Sequence, residues 1–368
     1  MTRKTQLLLI GAVVVLVAVG AVLRNPLKKG LKLGSKHAAS TGRFQNPEGV
    51  AFDSLGNIYV ANQDDGNFMI LDKTGKLLKE FKTLDGYRDG KGQTSQFCRG
   101  LYIRVPEPFH VFTTAVHNGV EFDAAGDKPK LLRTFGSQGD APGQMDGPEG
   151  IWRDVNGDVY MTDEHNRRIN VFDKDAKFLR TWSVPQDPQS VMVWKDRVYV
   201  SLDKRGYLSC CSKDGVEQFR IGHAVMFPYI LYVTLPCAVI SLAAFIALRK
   251  PQLAWTAFLV FLGTAGAGCA WDYWRHDQPG EYRLCDDLLV SPDGTELFIG
   301  DRHNSRIQVT DLDGRFKRTF SGPGSKPGEL NDPKQLAFDA DGNLWVADSD
   351  NHRLSCFTRE GKFLRLLE

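Results

Sequence analysis

The sequence predicts an all-β fold, a six-bladed β-propeller, with an N-terminal transmembrane helix and an inserted transmembrane helical hairpin. Three observations predict it. A unit of short alternating runs and Gly-bearing turns recurs along the chain, an uncharged apolar stretch lies near the start, and a second apolar stretch interrupts the repeats.

The first element is "LLLIGAVVVLVAVGAVL", residues 7–23. An uncharged run of this length is about what a helix needs to cross a ~30 Å hydrocarbon core. A cleaved signal peptide carries a shorter apolar region of roughly 7–15 residues, so residues 1–24 are expected to be an uncleaved anchor. Residues 25–41 follow as a basic linker, "NPLKKGLKLGSKHAAST". Its lysines suit anionic head groups, and a merely solvated linker fits them as well.

The chain then repeats itself. "NPEGVAFDSLGNIYVANQDDGNFMILDKTGKLLKEF" from Asn46 is matched by "GPEGIWRDVNGDVYMTDEHNRRINVFDKDAKFLRTW" from Gly147 and "DPKQLAFDADGNLWVADSDNHRLSCFTREGKFLRLL" from Asp332. Weaker copies begin at Cys98, Pro188 and Cys285, which makes six units. Runs such as "NIYVA" and "FMILD" between Gly turns predict about four antiparallel strands per unit, the content of a propeller blade. The pattern "PEGVAFD…GNIYVAD…G-F-L-R-F" resembles the NHL repeat family, whose members fold as six-bladed propellers. The resemblance spans nearly all of 42–222 and 285–368. It implies the fold and leaves function open, because that family includes enzymes, protein binders and RNA binders.

Units start at 47, 98, 148, 188, 285 and 333, so one interval of 97 residues stands among intervals of 40 to 51. Residues 42–222 are expected to form blades one to four and residues 285–368 blades five and six. The excess, 223–284, is an insertion. It holds two apolar segments, 224–248 and 252–271, joined by "RKPQ". Each is long enough to span a bilayer, and an even number of crossings returns the chain to its own side. Trp255 and the group Trp271, Tyr273 and Trp274 would lie at the membrane interface, where amphipathic rings collect. Buried core helices or a hairpin lying on the membrane surface are the alternatives. Pro228 and Pro236 weaken the first segment as a soluble helix, but spans tolerate proline.

Orientation signals conflict. The basic hairpin turn and the basic first residues favour a cytoplasmic position for both, and so an extracytoplasmic propeller, periplasmic in a bacterium. The basic linker favours the reverse. The shorter loop is given more weight.

Charge bounds the partners. The chain has 46 Lys and Arg against 44 Asp and Glu, but residues 1–41 hold seven of the basic residues and none of the acidic ones. The remainder is mildly acidic, which argues against nucleic acid as a partner. Seven cysteines at irregular spacing show no disulfide framework or metal knuckle.

Aligned units place Glu48, Arg99, Glu149, Gln189, Asp286 and Lys334 at the start of the innermost strand, where side chains ring the channel mouth. A mixed-sign rim of this kind binds a polar ligand or a partner's loop, or simply pairs its own charges. With two cations it is a poor metal cage. The turns "DEHNRR", "DRHNSR" and "DSDNHR" supply Asp163, Arg168, Asp301, Arg306, Asp348 and Arg353, where an Arg can return to an Asp; the family resemblance makes these structural. In the other blades Asn62, Thr113 and Leu202 stand for the Asp, and Asn67, Asn118 and Tyr207 for the Arg. His165, His303 and His352 lie in the same turns without forming a zinc set. No catalytic residue, metal or cofactor is assigned.

One helix already anchors a domain, so a further two are best explained as packing surface for other membrane helices. The expected function is that of a non-enzymatic scaffold or accessory subunit of a membrane protein complex, its partners other membrane subunits and the lipid bilayer. The alternative is a lyase or hydrolase working in the channel on a membrane-proximal substrate.

Overall fold

The computed structural model describes residues 42–88, 94–96, 103–202, 206–222 and 278–368. The expected anchor (1–24), the linker (25–41), both hairpin segments and Trp255, Trp271, Tyr273 and Trp274 lie outside the described residues. Among the described residues no helix is long and apolar enough to cross a membrane. Helix there is confined to two 3₁₀ turns, Arg302–Asn304 and Ser349–Asn351.

Six sheets are arranged as the repeats predict. Blade one is β1 (Pro47–Phe52), β2 (Ile58–Asn62), β3 (Asn67–Leu71) and β4 (Leu77–Phe81). A short pair follows, β5 (Thr83–Arg88) and β6 (Thr94–Gln96). Blade two is β7 (Ile103–Glu107), β8 (His110–Thr114), β9 (Gly119–Asp123) and β10 (Lys130–Phe135), and β5 joins its outer edge in parallel, giving a six-stranded sheet. A two-stranded link, β11 (Ser137–Gln138) and β12 (Gln144–Met145), leads to blade three: β13 (Ile151–Arg153), β14 (Val159–Asp163), β15 (Arg168–Phe172) and β16 (Phe178–Ser183). Blade four is β17 (Pro188–Trp194), β18 (Arg197–Leu202), β19 (Tyr207–Ser212) and β20 (Glu217–Gly222). Blade five is β21 (Cys285–Val290), β22 (Leu297–Asp301), β23 (Arg306–Thr310) and β24 (Phe316–Phe320). Blade six is β25 (Pro333–Phe338), β26 (Leu344–Asp348), β27 (Arg353–Phe357) and β28 (Phe363–Leu367).

Tight turns make these strands consecutive neighbours. Asp53 Oδ1 accepts from the backbone of Leu55 and of Asn57, both at 2.9 Å, while Gly56 takes φ +82°. Asp72, Asp154, Asp173, Asp311 and Asp339 cap their turns the same way. The carboxylate mimics a backbone acceptor and glycine relieves the left-handed strain, except in the Asp173 turn, where Ala176 takes φ +64°.

The apolar core is six wedges, one between each pair of neighbouring blades. Blades one and two share Tyr59, Phe68 and Phe122, blades four and five share Tyr199, Leu208 and Leu288, and blades six and one share Trp345, Val50 and Met69. Middle strands are therefore buried on both faces, whereas the outer β4, "LLKEF", exposes Leu77, Leu78 and Glu80 and buries only Phe81.

Blade six ends in its own outermost strand, so the ring closes with no exchange of strands. Polar clamps do this work at every junction. Lys79 Nζ donates to the carbonyls of Ala124 and Gly126 at 3.0 and 2.8 Å, and Arg133 to that of Lys174. Arg180 reaches Lys213 at 2.9 Å, Arg197 reaches Leu312 at 3.0 Å, and Arg318 reaches Arg359 at 2.7 Å. Arg365 completes the circle on the Lys73 carbonyl at 3.3 Å. In blade four Phe219 takes the outer-strand place of the Arg. Arg197 comes instead from β18 and stacks on that ring at 5.2 Å.

The chain leaves blade four at Gly222 (φ +90°), where a Cβ would come within 2.7 Å of the Tyr282 ring. Exit and return are therefore adjacent. Residues 278–284 belong to the propeller: Arg306 Nη2 donates to the Gln278 and Glu281 carbonyls at 3.0 and 2.9 Å. The insertion thus ends before 278, earlier than the boundary at 284 drawn from the repeats.

Candidate binding site at the channel mouth

The innermost strands of blades one, four, five and six share an irregularity. Pro188 pairs with Leu202 and Val191 with Val200, Cys285 with Asp301 and Leu288 with Ile299, and Pro333 with Asp348 and Leu336 with Val346. Two residues of the inner strand thus oppose one of its partner, a bulge that breaks the alternation of faces. In blade one the same slip falls between Pro47 and Gly49. Hydroxyls tie the distorted backbone, as Ser201 Oγ accepts from Ser190 N at 2.8 Å and Thr162 Oγ1 from Gly150 N at 2.7 Å.

The first residue of each pair stands on the rim. Register makes Glu48, Glu149, Gln189, Asp286 and Lys334 equivalent. Arg99 lies outside the described residues, and because Ile103 pairs with Thr113 the count in blade two runs three residues later than the sequence alignment. On one side the rim neutralises itself. Lys334 Nζ lies 3.3 Å from Glu48 Oε1 and 3.2 Å from Asp286 Oδ2. Arg302 Nη1 is 3.4 Å from Asp286 Oδ2, and its Nε and Nη2 donate to the two oxygens of Asp332 at 2.6 and 2.9 Å. Burial opposes the Lys334 charge, but Asp286 and Glu48 outweigh it and raise its pKa.

The other side has no such pairing. Gln189 Nε2 donates to Glu164 Oε1 at 3.2 Å, and the Glu149 carboxyl has no hydrogen-bond or ion-pair partner among the described residues. Burial pushes Glu149 well above the usual carboxylate range, and Glu164, Asp286 and Glu48 push it further. Glu48 is also raised, chiefly by burial.

In blades four, five and six the second residue of the pair is polar and bridges inner strands across the channel. Gln335 Oε1 accepts from the backbone of Val50 and of Ile103, both at 3.0 Å, and its Nε2 donates to the Ile103 carbonyl at 2.9 Å. Asp287 accepts from Ser190 Oγ at 2.7 Å and Leu336 N at 2.9 Å, with Arg104 Nη2 at 3.8 Å. Ser190, Asp287 and Gln335 are fully buried. Sequence alignment missed these three, together with Arg302, Glu164 and Asp332. The only signal was polar side chains at Ser190, Asp287 and Gln335, one place after the rim residue.

The paired turns take the expected geometry. Arg168, Arg306 and Arg353 donate through Nε to Asp163, Asp301 and Asp348 at 2.7, 2.8 and 2.7 Å. The same guanidinium groups hold the carbonyls of the loop leading into their blade: Ala141 and Gln144, Gln278 and Glu281, Lys326 and Glu329. In blade one a neutral pair replaces the ions, Asn62 Nδ2 donating to Asn67 Oδ1 at 2.8 Å. In blade two the equivalent residues are Thr114 and Gly119, each one place after the aligned Thr113 and Asn118, because Thr114 and Gly119 pair as Asp163 and Arg168 do. Leu202 and Tyr207 make the blade-four version apolar. The histidines have separate roles: His352 Nδ1 accepts from Asn46 N at 3.0 Å, and His165 lies between Asp146 and Glu164. Among the described residues no three His, Cys, Asp or Glu converge as a metal site.

Fold and repeat together define the class. The described residues form a six-bladed propeller, and residues 330–357, within blade six, match the NHL repeat. The chain is 38% identical over 67 residues to protein lin-41 of Caenorhabditis elegans, covering 18% of this chain and 6% of that protein. It is 28% identical over 98 residues to protein brain tumor of Drosophila melanogaster, covering 24% and 10%. The chain thus spans a tenth or less of these relatives' length. Among solved structures it resembles virginiamycin B lyase of Staphylococcus aureus (12% identity, TM-score 0.51, 87% of this chain and 83% of that one). It also resembles the Kuenenia stuttgartiensis hydrazine synthase (11%, 0.51, 90% and 81%). A Bacteroides thetaiotaomicron protein of unknown function is similar too (13%, 0.54, 86% and 70%). At such identities the likeness shows the fold alone.

Proposed function

We propose that this propeller is the binding module of a membrane-anchored, non-enzymatic scaffold or accessory subunit, and that it engages a partner protein through the channel mouth. The observation that carries this reading is the closed channel. Gln335 bridges from blade six across to blade two, which opposes a deep substrate cavity and leaves the charged rim to meet a loop or side chain. The described chain also departs toward this face twice. Asn46 is held beside the Ser349–Asn351 turn, and Gly222 lies beside residues 278–282. Apolar segments at 7–23, 224–248 and 252–271 supply the proposed spans, with the propeller outside the cytoplasm.

Native mass spectrometry of the full chain, gently extracted from its own membrane, tests the reading. Defined companion subunits are expected. A second preparation replaces residues 223–277 with a short Gly/Ser linker; because Gly222 and Tyr282 touch, the propeller should keep its melting temperature while the companions are lost. A protein that always travels alone would refute the scaffold assignment.

A further inference from the structure

We propose that the face opposite the channel mouth is a second docking surface, and that it takes an apolar segment of a partner polypeptide carrying one Asp or Glu, whose carboxylate meets Arg153. This goes beyond the contact assigned to the mouth and does not depend on it.

Each inner strand starts at the rim and ends in the turn that leads to its neighbour, so these turns crowd the opposite face. In blades four, five and six they carry Lys195, Asp196, Asp293 and Asp341, all exposed. Blades one, two and three carry apolar side chains instead. Leu55 is 64% exposed and Val155 97%, the latter more than any other large apolar side chain among the described residues. Between them stand Pro106 and the turn Pro108–Phe109, which joins β7 to β8. Contacts link the three turns. Asp53, which caps the Leu55 turn, accepts from Tyr59 OH at 2.7 Å, and that hydroxyl accepts from Phe109 N at 2.8 Å. Phe112 of blade two lies 5.5 Å from Arg153 Cζ, and a Cβ on Gly157, two residues past Val155, would come within 3.6 Å of the same guanidinium. Single exposed apolar side chains are ordinary, but a contiguous group of them marks an interaction site.

Two further features define the occupant. Phe109 takes φ +63°, a conformation that turns normally give to glycine or asparagine and that strains an aromatic residue. The corresponding turns of blades one, three, five and six use Gly56, Gly157, Gly294 and Gly342. Strain of this kind is kept where a side chain has a task, here holding an apolar ring on this face. The second feature is Arg153. Its register position is apolar in blades one, four, five and six, filled by Phe52, Val193, Val290 and Phe338. Among the described residues the Arg153 guanidinium has no carboxylate partner, and the neighbouring Asp154 is taken by Lys213 at 2.8 Å. A guanidinium beside apolar surface offers a planar fork that matches a carboxylate. Glu107, exposed on the blade-two side, repels further acids, so one carboxylate flanked by apolar side chains is the complementary pattern.

Photo-crosslinking on the full chain in a neutral maltoside detergent tests the proposal. The probe is the blocked pentapeptide Leu-Bpa-Glu-Leu-Phe, where Bpa is benzoylphenylalanine, and its Gln counterpart is the control. Crosslinks of the Glu peptide are expected on the Leu55, Phe109 and Val155 turns. Its half-saturation should rise about tenfold in Arg153→Gln, the loss of one charge-assisted contact, while that of the Gln peptide stays unchanged. Leu55→Ser should weaken both peptides, and Leu364→Ser, on the outer edge of blade six, neither. Should Arg153→Gln not fold, Arg153→Lys, which keeps the charge and loses the fork, should show a smaller loss of the same kind. Equal crosslinking of the two peptides, yields untouched by the Arg153 and Leu55 variants, or crosslinks that map elsewhere would overturn the proposal. So would light scattering that shows paired propellers which separate in Leu55→Ser, because the patch would then serve a second copy of this chain.

Discussion

Asp287 and Glu149 are both carboxyls near the axis of the ring, and what separates them is partners. Asp287 is bound by Ser190 Oγ and Leu336 N, with Arg104 nearby, so its truncation strands donors that are fully buried. Asp287→Ala should cost roughly 3–5 kcal/mol in denaturant unfolding, and Asp287→Asn clearly less; equal costs would contradict the polar plug. Glu149 has no such support. Its folded pKa lies above the ordinary 4.5, so the folded state holds that proton more tightly than the unfolded chain does. The resulting stability is present below the unfolded pKa and is lost as pH rises through the folded one. Glu149→Gln should therefore melt above the wild type at alkaline pH, with the gap closing near pH 4; a pH-independent gap would show that ionisation is not the cause. Repeats in the sequence made Glu48, Glu149, Gln189, Asp286 and Lys334 legible because position within a unit is enough to align them. Ser190, Asp287 and Gln335 were not legible as a plug, since a strand of regular period would turn them away from the axis and only the bulge brings them in.

Among elements, the lead-in loop proves as repetitive as the strands. "APGQ" at 141–144, "QPGE" at 278–281 and "KPGE" at 326–329 place Gly143, Gly280 and Gly328 at φ +82°, +81° and +87°. An Arg of the following blade grips each one through its carbonyls. This tetrapeptide could have marked the end of the insertion. It was passed over because the units were aligned on their inner strands, which begin several residues later. The opposite boundary rests on one glycine. At φ +90°, a Cβ on Gly222 would meet both the Tyr282 ring and the Gly206 carbonyl, at 2.7 and 2.8 Å. Gly222→Ala should destabilise the propeller by about 1–3 kcal/mol, measured by thermal melting, while Gly342→Ala, where nothing lies within 4 Å of the added atom, should lose only the cost of its positive φ. Similar losses at the two sites would mean that Tyr282 does not close the gap.

At the scale of the whole molecule the fold was readable from the six units, but the manner of closure was not, because it depends on side chains that reach across blades. Each junction has its own apolar wedge and its own cation on a neighbouring carbonyl, and the junction of blades six and one is built like the rest. Arg180→Ala and Arg365→Ala should accordingly lower stability by similar amounts, on the order of 1 kcal/mol for partly exposed charged hydrogen bonds. A far larger loss for Arg365→Ala would reveal a special closing joint. The consequence is that the ring has no seam. Opening any single junction leaves an arc still held at the other five, so no blade can peel away until a second junction fails. The last blade, where a chain would ordinarily fray, is held as an interior one, and the backbone amides of β27 should exchange their hydrogens as slowly as those of β23. Unzipping has no preferred place to begin.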